Sequence, residues 1–213
     1  MSKTRIENSK APNPFNFEAA ADALRRGDVI VFPTETLYGL GADALNHQAV
    51  ERIFQLKGRE ARNPIPVLVD GPEMLRNLVA EIPPLAQRLM DRFWPGPLTL
   101  VLPARQDLPK PLLNASGGIA VRISSQSVAT QLVQALGRPL TATSANPSGK
   151  EAARTFQEAK DYFADKVKVF LDGGRLNSKS GSTVVEVVGD GIKIIREGDI
   201  AAIDLEQVLG KGK

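Results

Sequence analysis

The sequence predicts an α/β domain: a single twisted, mixed β-sheet flanked by helices, with a concave basic pocket. Three observations carry the sheet and its helices, and the polar residues taken up below carry the pocket. Short apolar, β-branched runs alternate with helical periodicities over nearly the whole chain. The last two runs are joined by Gly189-Asp190-Gly191, the composition of a tight antiparallel hairpin, which makes the sheet mixed. The chain has 213 residues, 42% of them hydrophobic, enough to bury one core.

The elements follow in order. Residues 1–15 carry three basic side chains, two prolines and few apolar anchors, and are expected as a flexible N-terminal arm. The domain is expected over 16–206, with 207–213 as a disordered Gly/Lys tail. Asn16 is placed to cap a helix whose Phe17, Ala20, Ala21 and Leu24 fall on one face, with Gly27 as its stop. Val29 to Phe32 reads as a buried strand ended by Pro33. Asn46 is placed to cap a second helix that turns Val50, Ile53 and Phe54 inward and stops at Gly58. Further strand-like runs are Ile65–Val69, Leu98–Leu102, Ile119–Ile123, Pro139–Thr143, Val167–Leu171, Ser182–Val188 and Ile192–Arg196. Between them lie helical patterns at Glu73–Ala80, Leu85–Phe93, Ser127–Leu136 and Phe156–Phe163. Trp94-Pro95-Gly96-Pro97 reads as a helix-to-strand turn with a packed indole.

Composition removes several chemistries. With no cysteine there is no disulfide framework, thiolate zinc site, iron–sulfur cluster or cysteine nucleophile. The single histidine, His47, would have to anchor any serine triad or histidine-rich metal site, and no carboxylate arrangement near it marks a base; no protein metal site is expected. No apolar run reaches the ~18–20 residues of a membrane span. The opening residues lack a secretory apolar core, so a cytoplasmic, membrane-free protein is expected. The net charge of +3 suits an anionic ligand only where cations cluster. Neither a GxxxxGK[ST] loop nor a GxGxxG turn is present, so a nucleotide would need another kind of pocket.

Polar chemistry collects at a few dense stretches and two strand arginines. Pro33-Thr34-Glu35-Thr36-Leu37-Tyr38-Gly39-Leu40-Gly41 sets two hydroxyls and a carboxylate after a buried strand, where α/β sheets hold ligands; a strand-ending turn is the plainer alternative. Lys57 shares a helix face with Val50 and Ile53, directing an ammonium inward, either toward an anion or onto the helix C-terminus. Arg59 stands just beyond, and Asn63 close behind. Thr141-Ala142-Thr143-Ser144-Ala145-Asn146 offers hydroxyls and an amide for a phosphate or nucleotide, or ordinary turn chemistry. Arg122 lies on the Ala120 face of its strand, and Arg196 alternates onto the face of Ile192 and Ile194; each is either a solvated residue or an anion clamp. Ser180-Gly181-Ser182-Thr183 adds a hydroxyl-bearing turn.

Taken together, Pro33-Thr34-Glu35-Thr36, Tyr38-Gly39-Leu40-Gly41, Lys57-Gly58-Arg59, Asn63-Pro64, Pro95-Gly96-Pro97, Ser144-Ala145-Asn146, Ser182-Thr183-Val184-Val185 and Arg196-Glu197-Gly198 resemble the YrdC/Sua5/TsaC family in order and spacing, over about residues 16–200. The resemblance implies a YrdC-like fold and a threonylcarbamoyl-AMP synthase, which joins L-threonine, bicarbonate and ATP into threonylcarbamoyl-adenylate and pyrophosphate for the t6A modification of tRNA. It implies Lys57 and Arg59 as catalytic and, with Asn63, Ser144, Asn146 and Arg196, as ATP-binding. Thr34, Thr36, Arg122 and Ser182 fall at threonine-binding positions, Arg122 pairing with the threonine carboxylate. Mg²⁺ on the ATP phosphates is the implied cofactor, and a TsaD-type t6A transferase the acceptor of the product. The competing expectation is a non-catalytic RNA-binding module whose basic concavity holds the phosphate backbone of tRNA or double-stranded RNA. A HypF-type carbamoyl-adenylate domain and a YciO-like relative share the resemblance. Glu60 replaces a common proline, Leu68 occupies a position often held by histidine, and the chain is expected to be the short architecture without the C-terminal Sua5 domain.

Overall fold

The computed structural model describes residues 15–58, 64–178 and 180–209. Asn16 opens the first helix: its side-chain oxygen accepts the Ala19 amide at 3.0 Å, and α1 runs Phe17–Arg25. Gly27, at φ 87°, turns the chain into strand β1, Ile30–Pro33. Phe15, the last residue of the expected arm, is half-buried and packs with Phe17 on the smaller core, while 1–14 lie outside the described residues.

The next element, β2 at Tyr38–Gly41, was not expected as a strand. It pairs antiparallel with β1, Phe32 opposite Gly39 and Pro33 opposite Tyr38, so Thr34–Leu37 becomes a hairpin loop. The glycines disguise this strand. The Phe32 ring lies against them, and a Cβ at Gly41 would stand 2.7 Å from its Cε1, so the missing side chain makes room for an aromatic ring. Helix α2, His47–Lys57, is capped by Asn46 through the Ala49 amide and ends at Gly58 with φ 61°, as expected.

The remaining elements are β3 Val67–Leu68, α3 Pro72–Arg76, α4 Pro84–Phe93, β4 Leu98–Pro103, β5 Gly118–Arg122, α5 Ser127–Leu136, β6 Leu140–Thr141, β7 Thr143–Ser144, α6 Phe156–Phe163, β8 Val169–Phe170, β9 Thr183–Val188, β10 Gly191–Arg196 and α7 Ala202–Leu209. Helix α3 stops four residues before its expected end because tertiary pairing takes over: Val79 bridges Ala104, and the Ala80 amide donates to the Pro103 carbonyl at 2.8 Å. Helix α7 was not anticipated; residues 207–209, expected in the tail, are its last turn, and 210–213 lie outside the described residues.

The strands form two mixed ladders where one sheet was expected: β7-β2-β1-β8 and β10-β9-β4-β5-β3-β6. The segment 140–144 is their seam. Its first half pairs with β3 and its second half with β2, and between them the Thr141 amide donates to Ala42 while the Ala142 amide donates to Pro66. The larger ladder is therefore continued by the smaller through one shared segment. One core lies under both ladders and includes Val31, Leu40, Leu100, Val121 and Val185; a smaller core, with Ile30, Phe32, Leu132 and Leu136, is closed by α1 and α5. Leu68, the residue at the position often held by histidine, is buried in this smaller core.

Candidate active site

A cavity of about 460 Å³ opens between the β1–β2 hairpin loop, the seam and the uncovered face of the larger ladder, within the usual range for a small-molecule site. Thr34 and Thr36 enter it from the hairpin loop, Arg122 from β5, Ser144 from β7, Ser182 from just before β9, and Arg196 from β10. Val101, Ala120, Val184 and Ile195 supply an apolar wall. Six expected residues from scattered stretches thus share one hollow; Lys57 and Asn146 adjoin it, and Arg59, Asn63 and Glu60 lie outside the described residues.

Arg196 arrives by a route that strict alternation did not anticipate. Ile194 pairs with core-facing Val185, but a register shift sets Arg196 opposite Val184, which lines the cavity. The bulge reverses the parity of the strand end, so Arg196 leaves the face of Ile192 and Ile194. Its Nε and Nη2 donate to the Ser182 carbonyl at 3.2 and 2.6 Å, and Nη2 also donates to Ser182 Oγ at 3.1 Å. Thr99 Oγ1 donates to the same Ser182 hydroxyl at 2.9 Å. Gly198 permits this crossing of chains: a Cβ there would fall 2.4 Å from the Gly181 carbonyl oxygen and 2.5 Å from the Ser182 carbonyl carbon.

Lys57 is 4% exposed, and its ammonium points inward, as the helix face predicts. It donates to the Ser144 carbonyl at 2.5 Å, the Asn146 carbonyl at 2.9 Å and Asn146 Oδ1 at 3.4 Å. The Lys57 carbonyl in turn accepts the Ser148 amide at 2.7 Å. Asn146 Nδ2 donates to the Pro147 and Lys150 carbonyls at 3.1 and 2.7 Å. The turn chemistry and the ligand chemistry of this segment are therefore combined: a buried cation fixes a loop whose Ser144 faces the cavity.

The hairpin loop is organised by Thr34. Its hydroxyl donates to the Leu37 carbonyl at 2.7 Å and accepts the Thr36 and Leu37 amides, each at 3.2 Å. The Thr34 and Thr36 hydroxyls lie 3.0 Å apart. Thr36 lines the cavity.

Glu35, named in the motif but given no role, holds the loop to the larger ladder. Its carboxylate accepts from Arg122 Nη1 and from Ser124 Oγ, both buried. Burial pushes the Arg122 guanidinium below its ordinary pKa, with Glu35 and then Asp199 opposing that shift. Arg122 Nε is buried without a hydrogen-bond partner. A carboxylate between two threonines was the one available signal. Tyr38, behind the loop, donates to the Gly174 carbonyl at 2.7 Å and accepts the Gly173 amide at 3.0 Å; burial pushes its phenol up to about 12.

His47 is exposed at the start of α2. Among the described residues no group of three His, Cys, Asp or Glu side chains could hold a metal ion, and none of the helices is long and apolar enough to cross a membrane.

The family model for Sua5, YciO and YrdC proteins, described as telomere recombination, matches residues 22–198. The chain is 39% identical over 192 residues to the threonylcarbamoyl-AMP synthase of Pyrococcus abyssi, covering 90% of this chain and 56% of that protein. It is 37% identical over 206 residues to the threonylcarbamoyl-AMP synthase of Bacillus subtilis, covering 96% and 60%. A crystal structure of P. abyssi Sua5 complexed with L-threonine superposes with a TM-score of 0.87 at 39% identity, over 91% of this chain and 57% of that one. The chain thus spans under two thirds of the length of these relatives. With a matched core that runs from α1 through the Arg196–Gly198 crossing, the chain belongs to the Sua5/YciO/YrdC family.

Proposed function

We propose that this chain is a nucleotidyltransferase that makes L-threonylcarbamoyl-adenylate from L-threonine, bicarbonate and ATP, releasing pyrophosphate. The observation that carries the proposal is the single cavity in which two threonines, Arg122, Ser144, Ser182 and Arg196 meet, in a chain similar to synthases of that name.

The chemistry asks for charge control more than for a covalent intermediate. The threonine amine adds to the carbon of bicarbonate and water leaves, giving N-carboxythreonine. An oxygen of that carboxylate attacks the α-phosphorus, and the bond to the pyrophosphate oxygen breaks. Both partners are anionic, so cations must hold them together and meet charge developing on the leaving group. In our reading Arg196 and Ser144 face the phosphates, Lys57 and Asn146 hold the Ser144 loop in register, and Arg59 and Asn63 complete the ATP site. Thr34 and Thr36 meet the amino acid, with Ser182 and Arg122 on its carboxylate side. Enclosure between the hairpin loop and the sheet protects the labile N-carboxylate from water. The described residues offer no metal-ligand cluster, so the Mg²⁺ of this reaction is proposed to travel on the ATP phosphates. A TsaD-type transferase acting on tRNA in the cytoplasm is the proposed consumer of the product.

The test is incubation of the chain with ATP, Mg²⁺, bicarbonate and each amino acid in turn, with the adenylate identified by mass spectrometry. A threonine-dependent carbamoyl-adenylate is expected. Pyrophosphate release indifferent to the amino acid, or salt-sensitive RNA binding without ATP turnover, would overturn the proposal.

A further inference from the structure

The two walls of the cavity differ in hydrogen-bonding sense. The ladder side presents donors from Arg122 and Arg196. The loop side presents the Thr36 hydroxyl and, next to it in the chain, brings the Glu35 carboxylate onto Arg122. Glu35 and Arg122 form an internal ion pair in which Arg122 is 5% and Glu35 14% exposed by side chain. A ligand bearing only a negative charge would draw Arg122 away and leave a largely buried carboxylate without its cation, which is strongly unfavourable. A ligand bearing both charges exchanges one internal pair for two new ones, and no charge is stranded.

We infer that Glu35 makes the cavity select a zwitterion: with the α-carboxylate of the amino acid on Arg122, as the proposed function has it, the α-ammonium takes the Glu35 Oε1 that Arg122 releases. Two features fit this exchange. Ser124 Oγ stays bonded to Glu35 Oε2, so the carboxylate keeps its place when Arg122 turns to the ligand. Arg122 Nε, buried and unpartnered, gains an acceptor when a ligand carboxylate approaches its fork. Asp199 adds to the field at Arg122 but spends Oδ1 on Ser178 Oγ at 2.8 Å, so it is a bystander in the exchange. The inference rests on the proposal that an amino acid occupies this cavity.

The experiment is calorimetric titration of the full chain with L-threonine, with 2,3-dihydroxybutyrate, in which a hydroxyl replaces the ammonium, and with L-threoninamide, which lacks the carboxylate. The wild type should prefer threonine to either analogue by about 100-fold. Glu35→Gln should narrow the preference over the hydroxy acid to less than about tenfold, while Asp199→Asn shifts it by no more than about threefold. A Glu35→Gln protein that keeps both its fold, by circular dichroism, and the wild-type preference overturns the inference and leaves the proposed function intact. Should that variant not fold, the wild-type panel decides alone: hydroxy acid or amide binding as tightly as threonine overturns it. A wild type that favours another amino acid with the same Glu35-dependent preference supports the inference and refutes the threonine assignment. Binding of no amino acid refutes both.

Discussion

Lys57→Met removes one charge from the interior while keeping most of the buried stem, and its effect can be worked out from three distances. The ammonium donates at 2.5, 2.9 and 3.4 Å to the Ser144 carbonyl, the Asn146 carbonyl and Asn146 Oδ1. Hydrogen bonds to a charged group contribute about 1.5–3 kcal/mol each, but releasing the lysine from its desolvation offsets part of the loss. The longest contact adds little. A net destabilisation of about 2–4 kcal/mol follows, a large share of the ~5–15 kcal/mol that holds a typical domain. Urea unfolding followed by fluorescence of Trp94, the single tryptophan, reads it directly, since Nε1 is fixed on the Leu98 carbonyl at 2.7 Å in the folded chain. Ser144→Ala is the control: the lysine bonds the main-chain carbonyl there, so the control should stay within about 1 kcal/mol of wild type. A Lys57→Met shift no larger than the control's would refute the view that this cation fixes the 144–146 loop.

Other outcomes follow from the same geometry. Gly198→Ala would press a Cβ into backbone atoms at 2.4–2.6 Å and should cost more than about 3 kcal/mol by thermal unfolding, whereas Gly58→Ala, at φ 61° with open space around it, should cost about 1 kcal/mol. Arg196→Ala should weaken ATP binding by about tenfold or more, measured by calorimetry, with little change in melting temperature because the residue is exposed. Because the folded Tyr38 phenol titrates near 12 against an ordinary 10.0, the unfolded chain loses its proton first as pH rises. The contribution of Tyr38 is therefore complete below about 10 and fades between about 10 and 12, and Tyr38→Phe should flatten that alkaline limb in unfolding curves.

How much of this was legible from the residues depends on whether the signal was local. The caps at Asn16 and Asn46, the stop at Gly58, and helices α5 and α6 all express short-range rules, and they stand where the sequence put them. Strand β2 did not, because its glycines answer to the Phe32 ring on the neighbouring strand. The seam at 140–144 pairs with two strands more than 70 residues away, which no local pattern encodes. The gathering of Thr34, Arg122, Ser144, Ser182 and Arg196 was anticipated through a pattern of motifs, but the face of Arg196 was misread because a bulge inverts alternation. Glu35 was visible as a carboxylate in a dense motif; that it would meet Arg122 and Ser124 depended on how the hairpin folds over the ladder.

One hollow between the hairpin loop and the larger ladder is proposed to hold both the nucleotide and the amino acid. A crystal structure of the chain grown with ATP, Mg²⁺, bicarbonate and L-threonine tests it most directly. Ligand density is expected between Thr36, Arg122, Ser144, Ser182 and Arg196, with phosphates toward Arg196 and the amino acid toward Glu35. Nucleotide seated instead in the second cavity, of about 320 Å³ beside Glu151, Arg154 and Arg175, would contradict it.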